Sequence, residues 1–428
     1  MKKRTIGLFG AISIGVGGMV GGGIFAVLGE AVSFAHGATA VAFFVAGIVA
    51  LFTSYSYAKL SIKFQSEGGT VSFVDGAFGH NLLSGSVNLM LWLSYLVTIS
   101  LYAVAFSSYG STFFSNPSPF IYHMLISIAI LLPAFINLVS ASFVSKSETI
   151  IVIIKIALLV LIIVSGTPYM DMERFSPQHW GSSLSIVVAG MIIFVAYEGF
   201  ELIANAAQDI KDPVKNLPRA FYGSVIFVIL LYILISLISV GTVPEDQLLK
   251  AKDYALAIAA KPALGQVGFT IVAVAALLAT FSAINATIYG NSRLGFIIAS
   301  EGELPKVLEK EKREIPYMGV FFTLGFSLIL ANTIDLNEIA IIGSASFLLI
   351  FFIVNLSAYK IRKEIGASGF ITIVSSFFTL LALAILMYHT YSSNPKAIYI
   401  FLCFMVISFL FEFFYGRFIR GHMFKRKY

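Results

Sequence analysis

Apolar runs about twenty residues long, separated by short polar connections, recur along nearly the whole chain. A helix of that length crosses ~30 Å of hydrocarbon. The pattern predicts twelve spans, near 6–29, 38–62, 82–113, 120–142, 148–166, 183–209, 217–241, 266–298, 316–334, 338–358, 368–390 and 396–416. The longest polar connections, roughly 167–182, 243–265 and 299–315, are too short to hold a soluble catalytic module. The expected fold is therefore an all-α integral membrane protein whose mass is mostly its helical bundle.

Two spans interrupt their own pattern. The first carries GVGGMVGGGIF (Gly15–Phe25), with six glycines between Gly15 and Gly23. Each glycine costs a helix roughly 1 kcal/mol against alanine. The sixth span carries FVAYEGFE (Phe194–Glu201), with two carboxylates and a glycine in an otherwise apolar stretch. Interrupted segments at corresponding positions of two halves point to a transporter binding site. The offset is five spans, an odd number, so the two halves must be inverted. This predicts discontinuous helices one and six in a 5+5 inverted repeat. Residues 1–358 would form a ten-helix transport core, with 1–166 and 183–358 as its repeats. Residues 368–416 would add two peripheral helices, and 417–428 a basic tail.

Composition agrees with the span pattern. The chain is 58% hydrophobic and 12% charged, against about 25% charged in a soluble domain. Its single cysteine, Cys403, excludes an intramolecular disulfide and any CxxC metal site. The formal charge of +6 is distributed by topology: if the spans alternate, 22 of the 28 Lys and Arg fall on one side. Arg174, Lys250, Lys252, Lys261 and Lys396 fall on the other, and Lys155 lies inside span five. That asymmetry places both termini in the cytoplasm and gives no reason to expect nucleic acid. The start, MKKRTIGLFGAISIG, imitates a signal peptide, but its apolar run is too long, and the later spans need it uncleaved to keep their parity.

The chemistry sits in few residues. Gly17/Gly21 and Gly18/Gly22 have small-xxx-small spacing and suit close helix packing. The run Gly21-Gly22-Gly23 exceeds what packing needs, and suits an unwound hinge whose free amides bind an anion. Glu198 and Glu201 would share one helix face unless Gly199 breaks the helix between them; an intramembrane carboxylate is either functional or a hydrogen-bonded tether. Lys155, in TIIVIIKIALLVLII, lies roughly 12–16 Å from either interface at 1.5 Å per residue. That is too deep for comfortable snorkelling, so it either exchanges a proton or tethers backbone carbonyls. Ser282, Asn285, Tyr95, Tyr102, Ser344 and Ser346 are weaker candidates. No metal spacing of histidines, HExxH or GxSxG occurs, and no cofactor or metal is expected.

These stretches, together with SAINATIYGNSRLGFIIASEGELP (Ser282–Pro305), resemble the amino acid–polyamine–organocation transporters along essentially the whole chain. The resemblance is nearest to the prokaryotic proton-coupled amino acid transporters with a lysine in helix five, and it implies the leucine-transporter-like inverted repeat. It also implies that amides around Gly21, Gly22 and Gly23 hold a substrate carboxylate, and that carbonyls of Met19, Val195, Ala196 and Glu198 receive its ammonium. Lys155 would occupy the place of a sodium ion in sodium-coupled relatives, near Gly17 and Ser282, and Glu201 matches an acidic gating position. Glu198 departs from the many relatives that are apolar there. The expectation is a plasma-membrane amino acid transporter, monomeric or weakly dimeric, working by proton symport; an exchanger is the alternative, and a sensor or channel the rival from another class.

Overall fold

The breaks the sequence places in spans one and six organise the fold. The computed structural model describes residues 4–139, 141–312 and 315–419, and gives no side chains for 141–149. Lys2, Lys3, Lys146, Arg313 and the tail cations from Arg420 onward, which entered the charge count, lie outside this description. Seventeen α-helices appear among the described residues, and no strand. They are α1 (Leu8–Met19), α2 (Gly23–Ala35), α3 (Thr39–Lys63), α4 (Thr70–Phe78), α5 (Leu82–Ser111), α6 (Pro119–Val139), α7 (Ala141–Gly166), α8 (Ser183–Ile192) and α9 (Leu202–Asn205). Next come α10 (Pro213–Thr242), α11 (Glu245–Ala251), α12 (Ala255–Ala259), α13 (Lys261–Ser300), α14 (Tyr317–Thr333), α15 (Leu336–Lys360), α16 (Gly369–Ser393) and α17 (Pro395–Phe418).

Ten described helical segments are long and apolar enough to cross a membrane, and α1 with α2, bent by 49°, form an eleventh if read as one span. The expected span at 316–334 corresponds to α14, which is apolar but only 17 residues long. Two features escaped the hydropathy pattern. The short helix α4 follows α3, and the connection expected as a polar loop at 243–265 folds into α11, a 3-10 turn and α12. Both are too short to produce a twenty-residue signal.

Burial separates centre from rim. The apolar stretches of α5 and of Ser183–Asn205 are enclosed over 89% of their length, against 33% for α16 and 28% for α17. α3 packs along α10, α5 along α13 and α15, and α1 along α10, so the broken spans lie among the most enclosed helices. Serines and threonines throughout α5 are buried, and Ser94, Thr98 and Ser100 each return their hydroxyl to the carbonyl four residues earlier. At the end bearing Lys63 and Lys211, the chain before α1 pairs with the chain before α10: Thr5 and Ile6 amides donate to Asp209, and Lys211 returns to Ile6.

The two breaks touch. A Cβ on Gly18 would lie 2.6 Å from the Gly199 carbonyl oxygen, and Gly199, at φ +120°, faces the Gly18 backbone as closely in return. Gly366 also has positive φ (+59°) but nothing near it. Gly366→Ala is therefore expected to cost about 1 kcal/mol of backbone strain, and Gly199→Ala about 3 kcal/mol or more, because overpacking adds to strain. Thermal unfolding of the two purified variants in detergent compares them; equal losses would mean the crossing is loose.

Candidate functional site

Breaking a helix inside a bundle strands backbone amides and carbonyls, which must find other partners. In the sixth span α8 ends at Ile192, a 3-10 turn covers Ile193–Tyr197, Glu198 is extended (φ −63°, ψ 143°), and helix resumes at Leu202. Ser344 of α15 patches the first gap: its hydroxyl donates to the Ile192 carbonyl (2.6 Å) and accepts from the Val195 amide (2.9 Å). Glu201 patches the second: one carboxylate oxygen accepts from the Gly199 amide (2.7 Å), and the other from the Tyr95 hydroxyl (3.2 Å). Tyr232 of α10 joins the two breaks, its hydroxyl lying 2.6 Å from the Met19 carbonyl oxygen and 3.1 Å from that of Ala196.

The carbonyls of Met19 and Ala196, expected to receive a ligand ammonium, are thus occupied by Tyr232 in this conformation. Sequence reading missed Tyr232, although its hydroxyl, alone in the apolar run VILLYILI, was a visible signal. Val195 offers its amide to Ser344, which serves the break and not the cavity.

Beside the crossing lies a cavity of about 170 Å³. Gly17 and Gly18 of α1, Tyr95 and Tyr102 of α5, Glu198, and Thr287 and Asn291 of α13 form its upper walls. It extends to Gly68, Thr70 and Asn205, on the connections that follow Lys63 at the end of α3 and precede Lys211 before α10. Gly21, Gly22 and Gly23 do not line it. The Tyr102 ring sits where a Gly22 side chain would be, Gly21 meets Ala283 (3.2 Å), and Gly23 meets the Cα of Ala196 (2.8 Å). The first turn of α2 has no side-chain cap, and the Tyr102 ring packs against Gly22 at its start. The glycine run is thus both bent and closely packed, as the small-xxx-small spacing suggested.

Lys155 is 1% exposed on α7, and Ser282 is 3% exposed on α13. Neither lines the cavity, but α7 packs against both α1 and α13, the helices of Gly17 and Ser282. Glu198 does line it, with Glu201, Tyr102 and Thr98 beside its carboxyl.

The opposite end of the crossing is shut. Tyr109 of α5 donates to the Phe25 carbonyl (3.0 Å), and Ser108 to Asp253 (3.2 Å). Glu30 of α2, 1% exposed, takes Lys252 (2.9 Å) and the Asn337 amide (2.9 Å). Gly29 lets the Lys252 backbone, at φ +30°, come against α2. Burial and then Glu30 push the Asp253 carboxyl above the usual aspartate range, against Ser108 and Lys252. By linkage, Asp253 contributes stability that is full in acid and lost as pH rises through that raised value.

A sparsely charged helical bundle with two broken spans crossing at a one-sided cavity is the architecture of a membrane transporter. The family profile described as amino acid permease matches residues 6–411, and the chain belongs to that family. It is 35% identical to the inner membrane transport protein YbaT of Escherichia coli, over 92% of this chain and 93% of the relative. An uncharacterized protein of Methanocaldococcus jannaschii is 32% identical over 97% and 96%. The branched-chain amino acid permease BcaP of Bacillus subtilis is 25% identical over 85% and 82%.

Two outcomes follow from this geometry. Tyr232→Phe should lower stability by about 1–3 kcal/mol, the cost of stranding a buried carbonyl, as read by thermal unfolding. Lys252→Met should open the shut end. In a Cys403→Ser background, a cysteine at Phe25 would then react faster with a membrane-impermeant maleimide added from the Lys252 side; an unchanged rate would show that the ion pair does not hold the closure.

Proposed function

We propose that the chain is a secondary active transporter that moves amino acids across the cell membrane by alternating access, driven by proton symport. The observation that carries this reading is the cavity at the crossing of the two breaks, shut toward Lys252 and extending toward the Lys/Arg-rich loops. With those loops and both termini in the cytoplasm, the conformation is the inward-facing one. The names of the relatives support amino acids as the substrate class.

In this reading spans one to ten form the inverted repeat, and the helices of 368–416 flank it. Substrate carboxylate binds the amides of Gly21, Gly22 and Gly23 at the uncapped start of α2, where the helix dipole favours an anion. The Tyr102 ring must first leave Gly22, which makes that rotation part of binding. The ammonium meets the carbonyls at the other break, with Tyr232 yielding those of Met19 and Ala196. Protonated Lys155 holds α1 against α7 and α13 near Gly17 and Ser282, and loss of its proton on the inside loosens α1 and releases substrate. Glu201 acts as a gate because it ties the Gly199 amide to Tyr95 of α5.

Reconstituted protein is expected to accumulate an amino acid when the lumen is alkaline, and Lys155→Ala is expected to reduce accumulation to background. Undiminished accumulation by the variant would overturn the role of the lysine. Uptake that requires amino acid inside the vesicles would identify an exchanger instead.

A further inference from the structure

The cavity wall carries an uneven charge. Among the described residues, Glu198 is the only charged one lining it; the rest are glycines, apolar side chains, hydroxyls and two asparagines, with no lysine, arginine or histidine. A second carboxylate, Glu201, stands beside Glu198, and both are almost wholly enclosed. Glu201 accepts from the Gly199 amide and the Tyr95 hydroxyl; Glu198, whose backbone is extended between the helix pieces, lines the cavity, with Glu201, Tyr102 and Thr98 against its carboxyl. A carboxylate enclosed in a bundle persists when a cation or a proton neutralises it. The cavity wall supplies no cation, and a transported molecule can.

Resting on the reading of this cavity as a transport site, we propose that Glu198 selects substrates bearing a cationic nitrogen beyond the α-ammonium, with its carboxylate as the counter-ion. The same carboxylate repels a substrate carboxylate, so the acid group of an amino acid is driven toward the α2 amides and the cationic arm toward Glu198. Tyr102, which covers Gly22 and stands beside Glu198, spans both ends of that pose. Asn291 and Thr287, which also line the cavity, offer polar contacts to the arm.

The test is competitive uptake by reconstituted protein, with lysine, alanine and the diamine putrescine as probes, repeated with Glu198→Gln and Glu198→Asp. Lysine should outcompete alanine in the native protein. The lysine-to-alanine preference should fall by about tenfold or more in Glu198→Gln, as when one partner of a buried charge pair is removed, and should largely return in Glu198→Asp. Using a ratio within each variant cancels losses from poor folding. Putrescine competing as well as lysine would extend the class to amines without a carboxylate; putrescine failing beside active lysine would confine it to basic amino acids. Either result supports the charge assignment. Alanine preferred over lysine in the native protein, or a ratio untouched by Glu198→Gln, overturns the assignment and leaves the transport reading standing. Uptake of none of the three overturns both.

Discussion

An unpaired backbone amide or carbonyl has no water to turn to in the interior of a membrane bundle, and the centre of this protein is arranged around that constraint. Breaking spans one and six frees several such groups at one depth. Three side chains from other elements or from the far side of the break take them up: Ser344 bridges Ile192 and Val195, Glu201 holds the Gly199 amide, and Tyr232 reaches the carbonyls of Met19 and Ala196. Each partner is worth only about 1 kcal/mol net when made, but a stranded group costs more. The breaks are therefore held by Ser344 of α15, Tyr232 of α10 and Glu201 just before the helix resumes.

The glycines have a second task that follows from the first. Groups at two breaks can share one hydroxyl only if the backbones nearly touch. Gly18 against Gly199 and Gly23 against Ala196 provide that approach, and only a residue without a Cβ fits there. Bend and packing motif are thus one feature: the run that bends by 49° is also small enough for a close crossing.

Much of this was legible in the sequence. Span positions follow from hydropathy, both breaks from glycines and carboxylates that no helix would choose, and the importance of Glu198 and Glu201 from the cost of burying charge. Gly199 does separate the two carboxylates, as the glycine between them suggested. The partners were legible only in part. Ser344 stands out as a polar residue in an apolar span and Tyr232 as a lone hydroxyl in VILLYILI, but which groups they serve is spatial: they lie 152 and 213 positions from the carbonyls of Ile192 and Met19. Nor could sequence show that Tyr102 covers Gly22, because a rotamer and a helix face decide it. The helices α4, α11 and α12 were hidden by their length.

The shut end has a chemistry unlike that of the crossing. Its polar contacts run from half-exposed to buried: the Glu30–Lys252 pair, with the lysine side chain 44% exposed, Ser108 with Asp253, and the enclosed Tyr109 hydroxyl on Phe25. Solvent screening discounts the ion pair toward the 0–1 kcal/mol of surface bridges, and each hydrogen bond adds about 1 kcal/mol. These polar contacts are thus worth a few kcal/mol, offset by the positive φ of Lys252, and they add to the packing of buried Leu248 and Leu256 on helices beside α2. Reversing a two-state population from 1:99 to 99:1 takes about 5.5 kcal/mol, the same order as the polar contacts. Contacts of this size can be made and broken within that range, whereas the groups at the crossing, with no water to turn to, need partners throughout.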